Sequence, residues 1–219
     1  MDATSLYIVR ELLWASLATI SITVGALVLA VLVGFFLAIV RLWAPAWVRY
    51  IALTYIEILR NTPVLVQLFV LYFGLAQVGF QMAPLAAAII GLGLNGSALL
   101  AEVFYSSIKA VDRGQEEAGL AIGLTPAKTL FYVILPQALK IALPSVGSYM
   151  IALMKDTSLA SAVAAPEIAF RARMLVSETY LSTQIYLLVA AIYFVLSFPV
   201  ARVAVKMENR LMKGNSNNA

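Results

Sequence analysis

The sequence contains no cysteine and no histidine. The first absence excludes disulfides and thiol chemistry. The second excludes imidazole ligation of haem or zinc and removes the commonest general base. A hydroxyl at Ser97 or Ser158 would have no histidine to activate it, which argues against an intramembrane hydrolase. There is no Gly-x-x-x-x-Gly-Lys-Ser/Thr phosphate loop, so the chain shows no motif for hydrolysing ATP itself. Charge is scarce as well. Charged residues make up 12% of the chain, against about 25% in soluble domains, whereas 63% are hydrophobic. This balance belongs in a bilayer. The net charge of +4 is small and reads as anchoring charge rather than a nucleic-acid footprint.

Apolar segments near the roughly 20 residues needed to span a bilayer occur at about Leu12–Val40, Pro63–Val78, Pro84–Ile108, Pro136–Met154 and Gln184–Val205. The first is too long for a signal-peptide core and follows acidic Asp2 and Glu11, so it reads as a span. The second is short. The preceding WVRYIALTYIEILR is amphipathic and is expected to lie at the interface before the chain dives. A sixth span at Leu159–Met174 is disfavoured by Glu167, Arg171 and Arg173. No internal repeat is evident. The expected class is therefore an all-α membrane protein of five transmembrane helices. It comprises an N-terminal tail (1–11), a membrane domain (12–208) with a loop at about 110–136, and a polar tail (209–219) whose last residues, GNSNNA, are expected to fray.

Arg41, Arg49, Lys109, Arg113, Lys128, Lys140, Arg202, Lys206, Arg210 and Lys213 all fall on one side of a five-span chain. The positive-inside rule makes that side cytoplasmic and puts the N-terminus outside.

The loop EEAGLAIGLTPAKTLFYVILPQAL, Glu116 to Leu139, is strongly punctuated. Asp112 is a helix N-cap, with Gln115 completing a capping-box pattern. Glu116 and Glu117 complement the helix dipole in the first turn. Gly123 suits the left-handed residue that ends a helix. Thr125 caps a second helix with Pro126 in its first turn, and Pro136 marks the next span. The pattern is a helical hairpin that either grips a soluble partner or lies on the headgroups.

Polar groups within spans are expensive and default to functional candidates. Asn61, Thr62 and Gln67 flank Pro63, which frees backbone carbonyls. Gln67 could equally make a helix–helix hydrogen bond. Asn95, Ser97 and Glu102 lie in the third span, and Glu102 is expected to pair with a nearby basic residue. Glu57 and Arg60 are spaced to pair on one face. Lys155-Asp156-Thr157-Ser158 offers both charge signs and two hydroxyls, as a zwitterionic amino acid would need, unless the charges merely face water.

Glu117-Ala118-Gly119, then Gly123 and Ile134-Leu135-Pro136, resembles the EAA loop of ABC-importer permeases, with Gly119 where that family prefers Ala. RNTPVLVQLFVLYFGL, SALLAEVFYSSI, LMKDTSLASAV and the final span and tail resemble segments of the polar amino-acid permeases in the same order, so the similarity covers nearly the whole chain. The resemblance implies a type I ABC importer-like fold and a membrane subunit that imports polar amino acids or close analogues. Partner ATPases would couple through the 112–136 hairpin at Glu116, Glu117, Ala118, Gly119, Gly123, Leu124 and Thr125. It implies a second permease subunit, identical or paralogous, and an extracytoplasmic binding protein. ATP and Mg would sit on the partner ATPase, with no cofactor or metal on this chain. The implied location is the bacterial cytoplasmic (inner) membrane. The substrate-pathway set becomes Asn61, Thr62, Gln67, Ser97, Tyr149, Lys155, Asp156, Thr157 and Ser158. Tyr149 stands where relatives moving basic amino acids often have Glu, which points to a neutral or aromatic-bearing polar solute rather than arginine. The alternative is an ion-coupled secondary transporter with Asp156 or Glu102 carrying the coupling ion.

The absence of native cysteine gives a direct test of topology. Single cysteines at Gly79 and Thr125 are expected to react with a membrane-impermeant thiol reagent from opposite sides; reaction of both from one side would break the five-span arrangement.

Overall fold

The computed structural model describes residues 3–216, with side chains from Thr4 to Lys206. Among the described residues the regular structure is helical throughout. Helix α1 is Ala3–Trp43, α2 is Ala46–Asn61, α3 is Val64–Gln77 and α4 is Pro84–Lys109. Helix α5 is Arg113–Ala121. Helix α6 covers residues 126–156 and passes into a 3-10 segment, Thr157–Val163. Helix α7 is Ile168–Thr179 and α8 is Ser182–Ser216.

Four helical runs are long and apolar enough to cross a membrane, and the pair α2–α3 makes a fifth candidate if counted as one broken span. The expected count therefore holds, with three changes in detail. First, α1 has 41 residues, or about 60 Å, twice the hydrocarbon thickness. The segment expected as an N-terminal tail is thus its first turns. Secondly, WVRYIALTYIEILR is not detached from the bundle. It forms α2, whose Ala52 and Ile56 are buried with Leu37 of α1 and Ala98 and Ala101 of α4. An amphipathic pattern is also what a helix packed on one side against a bundle requires, and α2 buries that side. Thirdly, α8 is helical to Ser216, so the first half of GNSNNA continues the helix; residues 217–219 lie outside the described residues.

Pro136 does not break the chain before the fourth span. Helix α6 continues through it, with a π turn at Leu130–Ile134 just upstream. Proline supplies no N–H to the carbonyl four residues earlier, and a locally widened turn accommodates the missing bond without ending the helix. A second π turn, Val70–Gly74, interrupts α3.

The centre of the bundle is the α1–α4 seam. A methyl group at Gly34 would sit 2.8 Å from the Ser97 carbonyl oxygen, and one at Gly93 would sit 2.6 Å from a Leu29 methyl. Lipid tails are as apolar as leucine, so helices associate in a bilayer through close packing and hydrogen bonds, for which small residues are suited. Helices α2, α3 and α6 pack around α4, and α8 packs along α6.

The ends of the bundle are well separated. At one end α1 begins against α7 and α8, through Ile8, Leu12, Ala15, Ile168, Ala172, Leu175 and Ile185. At the other, Ile108 at the end of α4 meets Leu130, Ile134 and Ala138, with Ile39 and Leu42 of α1 alongside. The hairpin and the N-terminus are therefore at opposite ends.

The α7 end is pinned by polar contacts. Arg171 makes a paired contact to Glu11 of α1 at 2.8 and 3.1 Å. Glu167 is fully buried and caps α7, accepting from the Ala169 and Phe170 N–H groups at 2.8 and 2.7 Å and from the Tyr193 hydroxyl at 2.8 Å. Burial pushes its carboxyl above the usual carboxylate range, opposed by these three donors and by nearby Arg173. Glu167→Ala strands buried donors. It is expected to destabilise the purified protein by about 1–3 kcal/mol, read as a lower thermal unfolding midpoint in detergent. Combining it with Tyr193→Phe should cost less than the sum of the two.

Candidate functional site at the hairpin and the broken span

The hairpin is built largely as its punctuation requires. Asp112 caps α5, its Oδ1 accepting from Gly114 N–H at 2.7 Å. Gln115 does not complete a capping box. Its Oε1 accepts instead from Gln137 Nε2 at 3.1 Å, which ties α5 to α6. Gly123 has φ +84°, Leu124 N–H donates to Gly119 O at 3.1 Å and Gly123 N–H donates to Leu120 O at 3.0 Å. Those two bonds form a Schellman motif, and the left-handed residue it needs is the glycine. Thr125 Oγ1 then accepts from Lys128 N–H at 3.4 Å to start α6.

Glu116, Glu117, Ala118 and Gly123 are exposed, whereas Gly119 is buried. Two residues that sequence reasoning passed over are notable. Ile122 is 78% exposed and Leu120 43% exposed, at the tip of an otherwise polar element. Their signal in the sequence was available, since neither fits a buried face of so short a helix.

Gly119 has a packing role. A methyl group there would lie 2.6 Å from Thr129 Cγ2 and 3.0 Å from its Oγ1. Thr129 is fully buried, so it has little room to yield. The pair sets how closely the two arms of the hairpin approach.

The broken span supplies the second constellation. Helices α2 and α3 meet at a bend of 109° around Thr62-Pro63. Pro63 has no N–H for the Leu59 carbonyl, which would otherwise be orphaned in an apolar setting. Gln67 Nε2 reaches it at 2.8 Å and Asn95 Nδ2 of α4 at 3.0 Å. Gln67 also donates to Thr62 O and Oγ1 at 3.0 and 2.7 Å, and its Oε1 accepts from Asn95 at 3.3 Å. Thr62 donates to Ile58 O, and Asn61 donates to Glu57 O and to its carboxylate. Thr62 and Gln67 line a groove of about 360 Å³ whose other walls are mainly apolar, among them Leu59, Leu71, Gly91 and Leu94. Ser97 is fully buried and bonded to the Tyr55 hydroxyl at 2.8 Å, so it joins α4 to α2.

Glu102 does pair with basic residues, its Oε1 lying 2.8 Å from Arg41 Nη1 and 3.6 Å from Arg60 Nη1. Arg41 also lies 4.0 Å over the Tyr105 ring. The expected Glu57–Arg60 pair is replaced by this arrangement and by the Glu57–Asn61 bond.

The remaining candidates share one packing centre. Val64, Tyr149, Leu153 and Ala160 meet at a cluster with Ile22, Ala26, Ala88 and Leu92. This brings the start of α3 and the end of α6 to one level. The Lys155–Ser158 side chains do not converge there. Lys155 is exposed, Thr157 is buried with its hydroxyl on Met154 O, and Ser158 bonds Lys155 O. Tyr149 is wedged against α4, where a methyl group on Gly96 would lie 1.9 Å from its hydroxyl oxygen. Among the described residues, no cluster of acidic side chains fit for a metal occurs.

The Gly119–Thr129 contact gives a compensation test. Gly119→Ala is expected to lower transport severalfold in reconstituted vesicles, although alanine favours the helix by about 1 kcal/mol. Adding Thr129→Ala removes the opposing methyl and hydroxyl and should recover most of the loss.

With that geometry in view, likeness to known proteins is informative. Residues 30–213 match the family model described as the binding-protein-dependent transport system inner membrane component. A probable amino-acid ABC transporter permease of Bacillus subtilis, YckA, is 33% identical across 89% of this chain and 84% of its own length. The L-cystine transport system permease TcyB of the same organism is 33% identical over 93% of this chain and 90% of its own length. The glutamine transport system permease GlnP of Escherichia coli is 30% identical over 91% of this chain and 89% of its own length. A crystal structure of an amino acid ABC transporter with histidines superposes with a TM-score of 0.88 at 33% identity, covering 96% of this chain and 99% of the other. The inward-facing MetNI methionine transporter, at 20% identity and a TM-score of 0.68 over 94% of this chain and 99% of that one, shares the fold. The chain thus belongs to the binding-protein-dependent transport system inner membrane components, the multi-pass permeases of ABC transporters.

Proposed function

We propose that this chain is the membrane subunit of an ATP-driven importer of polar amino acids or close analogues, driven through its hairpin by a separate ATPase. The observation that carries the coupling role is the hairpin itself. It is a capped, Schellman-closed element tied to the bundle by Gly119–Thr129 and Gln115–Gln137, with Ile122 and Leu120 presented outward. An exposed isoleucine on a polar element is costly in water and useful in a protein cleft. Glu116, Glu117, Ala118, Gly119, Gly123, Leu124 and Thr125 form this grip. The hairpin lies on the side with the basic residues, so the C-terminus is cytoplasmic and the N-terminus outside. ATP and Mg belong to the partner subunit, and this chain performs no catalysis. A second permease completes the path, and an extracytoplasmic binding protein delivers solute to the α7 end.

The solute path runs along the level that holds the α2–α3 break, Tyr149 and the Lys155–Ser158 segment. The names of the amino-acid, glutamine and cystine permeases support the solute class. Tyr149 fills the space beside Gly96 with an aromatic ring and a hydroxyl, which suits a neutral polar or aromatic solute over a guanidinium.

Ile122→Asp tests the grip. The variant should insert at normal levels, retain about tenfold less ATPase on purification and lose transport to a similar degree. Full retention of both would remove the hairpin as the dock.

A further inference from the structure

Helix α2 buries one face and leaves the other without a partner in this chain. Ala52 and Ile56 face α1 and α4, whereas Tyr50, Thr54, Glu57 and Asn61 recur at helical spacing on the opposite face and are exposed. Contacts fix their depth. The Leu59 carbonyl meets Asn95, near the middle of the span Pro84–Lys109. Glu57 and Asn61 flank Leu59 in the chain, so a carboxylate stands near mid-span on a face turned away from the bundle. An ionised group at that depth is too costly to face lipid tails. Among the described residues its hydrogen-bond partner is neutral, Asn61 Nδ2 donating to Oε2 at 2.9 Å, and no ion pair includes Glu57. Arg60 lies beside this stripe and its side chain is 40% exposed. It reaches Glu102 Oε1 at 3.6 Å, on an oxygen that Arg41 already approaches to 2.8 Å. The four charges of Arg41, Arg60, Glu57 and Glu102 sum to zero, yet they are not paired off. Glu57 lacks a cation and Arg60 shares an anion.

We propose that this face of α2 is a binding subsite for a zwitterionic amino acid, with Glu57 receiving the α-ammonium and Arg60 the α-carboxylate. Residues three apart on a helix have Cβ atoms about 5–6 Å from one another, which lets the two heads of one amino acid meet both. Charge balance selects the ligand class. A zwitterion gives each side chain its counter-charge and leaves the net charge at membrane depth at zero. A simple cation would satisfy Glu57 but add a positive charge and leave Arg60 as it was; a simple anion would do the reverse. Asn61 holds the Glu57 carboxylate and Glu102 draws Arg60 aside, so the two do not quench one another. The stripe ends at the α2–α3 bend, where Thr62 and Gln67 line the groove, so the subsite adjoins the broken span. The inference deepens the importer reading and rests on it, since an amino acid must be the solute.

The test uses the whole transporter, with its ATPase subunits, in nanodiscs. It is dialysed to equilibrium against a mixture of isotope-labelled L-amino acids, and mass spectrometry reads which are retained and how tightly. Glu57→Gln keeps the side-chain size and an acceptor for Asn61 but loses the charge. It should weaken retention of the bound amino acid about tenfold. The des-amino analogue of that amino acid should bind equally to wild type and Glu57→Gln. Arg60→Gln should weaken the amino acid by a similar factor, and the matching amine without a carboxylate should not register the change. Glu178→Gln, an exposed carboxylate at the α7 end, should bind as wild type does. Retention by Glu57→Gln equal to wild type would overturn the proposal, and so would no retention by wild type. An equal loss for the amino acid and its des-amino analogue would also overturn it, by marking structural damage. ATP-driven uptake of the same mixture into vesicles, with the binding protein present, separates the two levels. Failure of wild-type uptake removes the importer reading; wild-type uptake together with unchanged retention in Glu57→Gln removes the subsite alone.

Discussion

The contact between α1 and α4 positions every other element. At Gly34 and Gly93 the two helices approach too closely for any side chain, and hydrocarbon gives them no other strong reason to associate. With that seam fixed, the remaining faces of α4 are committed. Ala98 and Ala101 receive α2, Gly91 receives Leu68 of α3, and Gly96 receives Tyr149 of α6. A single helix rich in small residues thus acts as the post around which both halves of the proposed path are hung.

The second constraint is that backbone polar groups must be satisfied away from water. It explains why the α2–α3 break is furnished as it is. The Leu59 carbonyl loses its partner to Pro63, and two carboxamides, Gln67 and Asn95, take it over. The same side chains span the bend and fasten it to α4. Gln67 lines the groove as a donor already in use, so any polar solute that engages it must compete with the bend itself. In the proposed path, recognition and backbone geometry would be linked through the Leu59 carbonyl. Pro136 meets the same constraint differently, by a π turn that keeps α6 continuous.

These two solutions mark where the sequence is and is not a sufficient guide. The spans, the end at which each loop lies and the hairpin's caps follow from composition, length and local chemistry, which act on short stretches of chain. Asp112, Gly123 and Thr125 behave as their types require. The consequences of Pro63 and Pro136 could not be separated in advance. Each removes one N–H, and whether the chain bends by 109° or widens one turn depends on which distant donors are within reach. Asn95 is decisive for Pro63 and lies in another helix. The packing role of Gly119 was hidden because its neighbour in space, Thr129, belongs to the other arm. Ser97, a path candidate by its type, is buried against Tyr55, a partner no local pattern reveals.

How a grip at one end could act on a path deep in the bundle follows from α6. The helical run Pro126–Val163 has 38 residues, roughly 55–60 Å of nearly continuous rod. Its first turn is locked to α5 by Thr129 against Gly119, and Gln137 holds Gln115 a little farther along. Its far portion carries Tyr149, Leu153 and the Lys155–Ser158 segment. In the proposed importer, a rod clamped to the hairpin would convert displacement at the tip into displacement of Tyr149 against Gly96. Because that contact is tight, a small movement suffices to change the space beside α4. The π turn at Leu130–Ile134 falls between these two ties, Thr129 and Gln137, with Leu130 and Ile134 packed against Ile108 of α4, so the start of the rod is held along its length. The hairpin and the tyrosine, read separately from sequence as drive and selectivity, are two points on one helix.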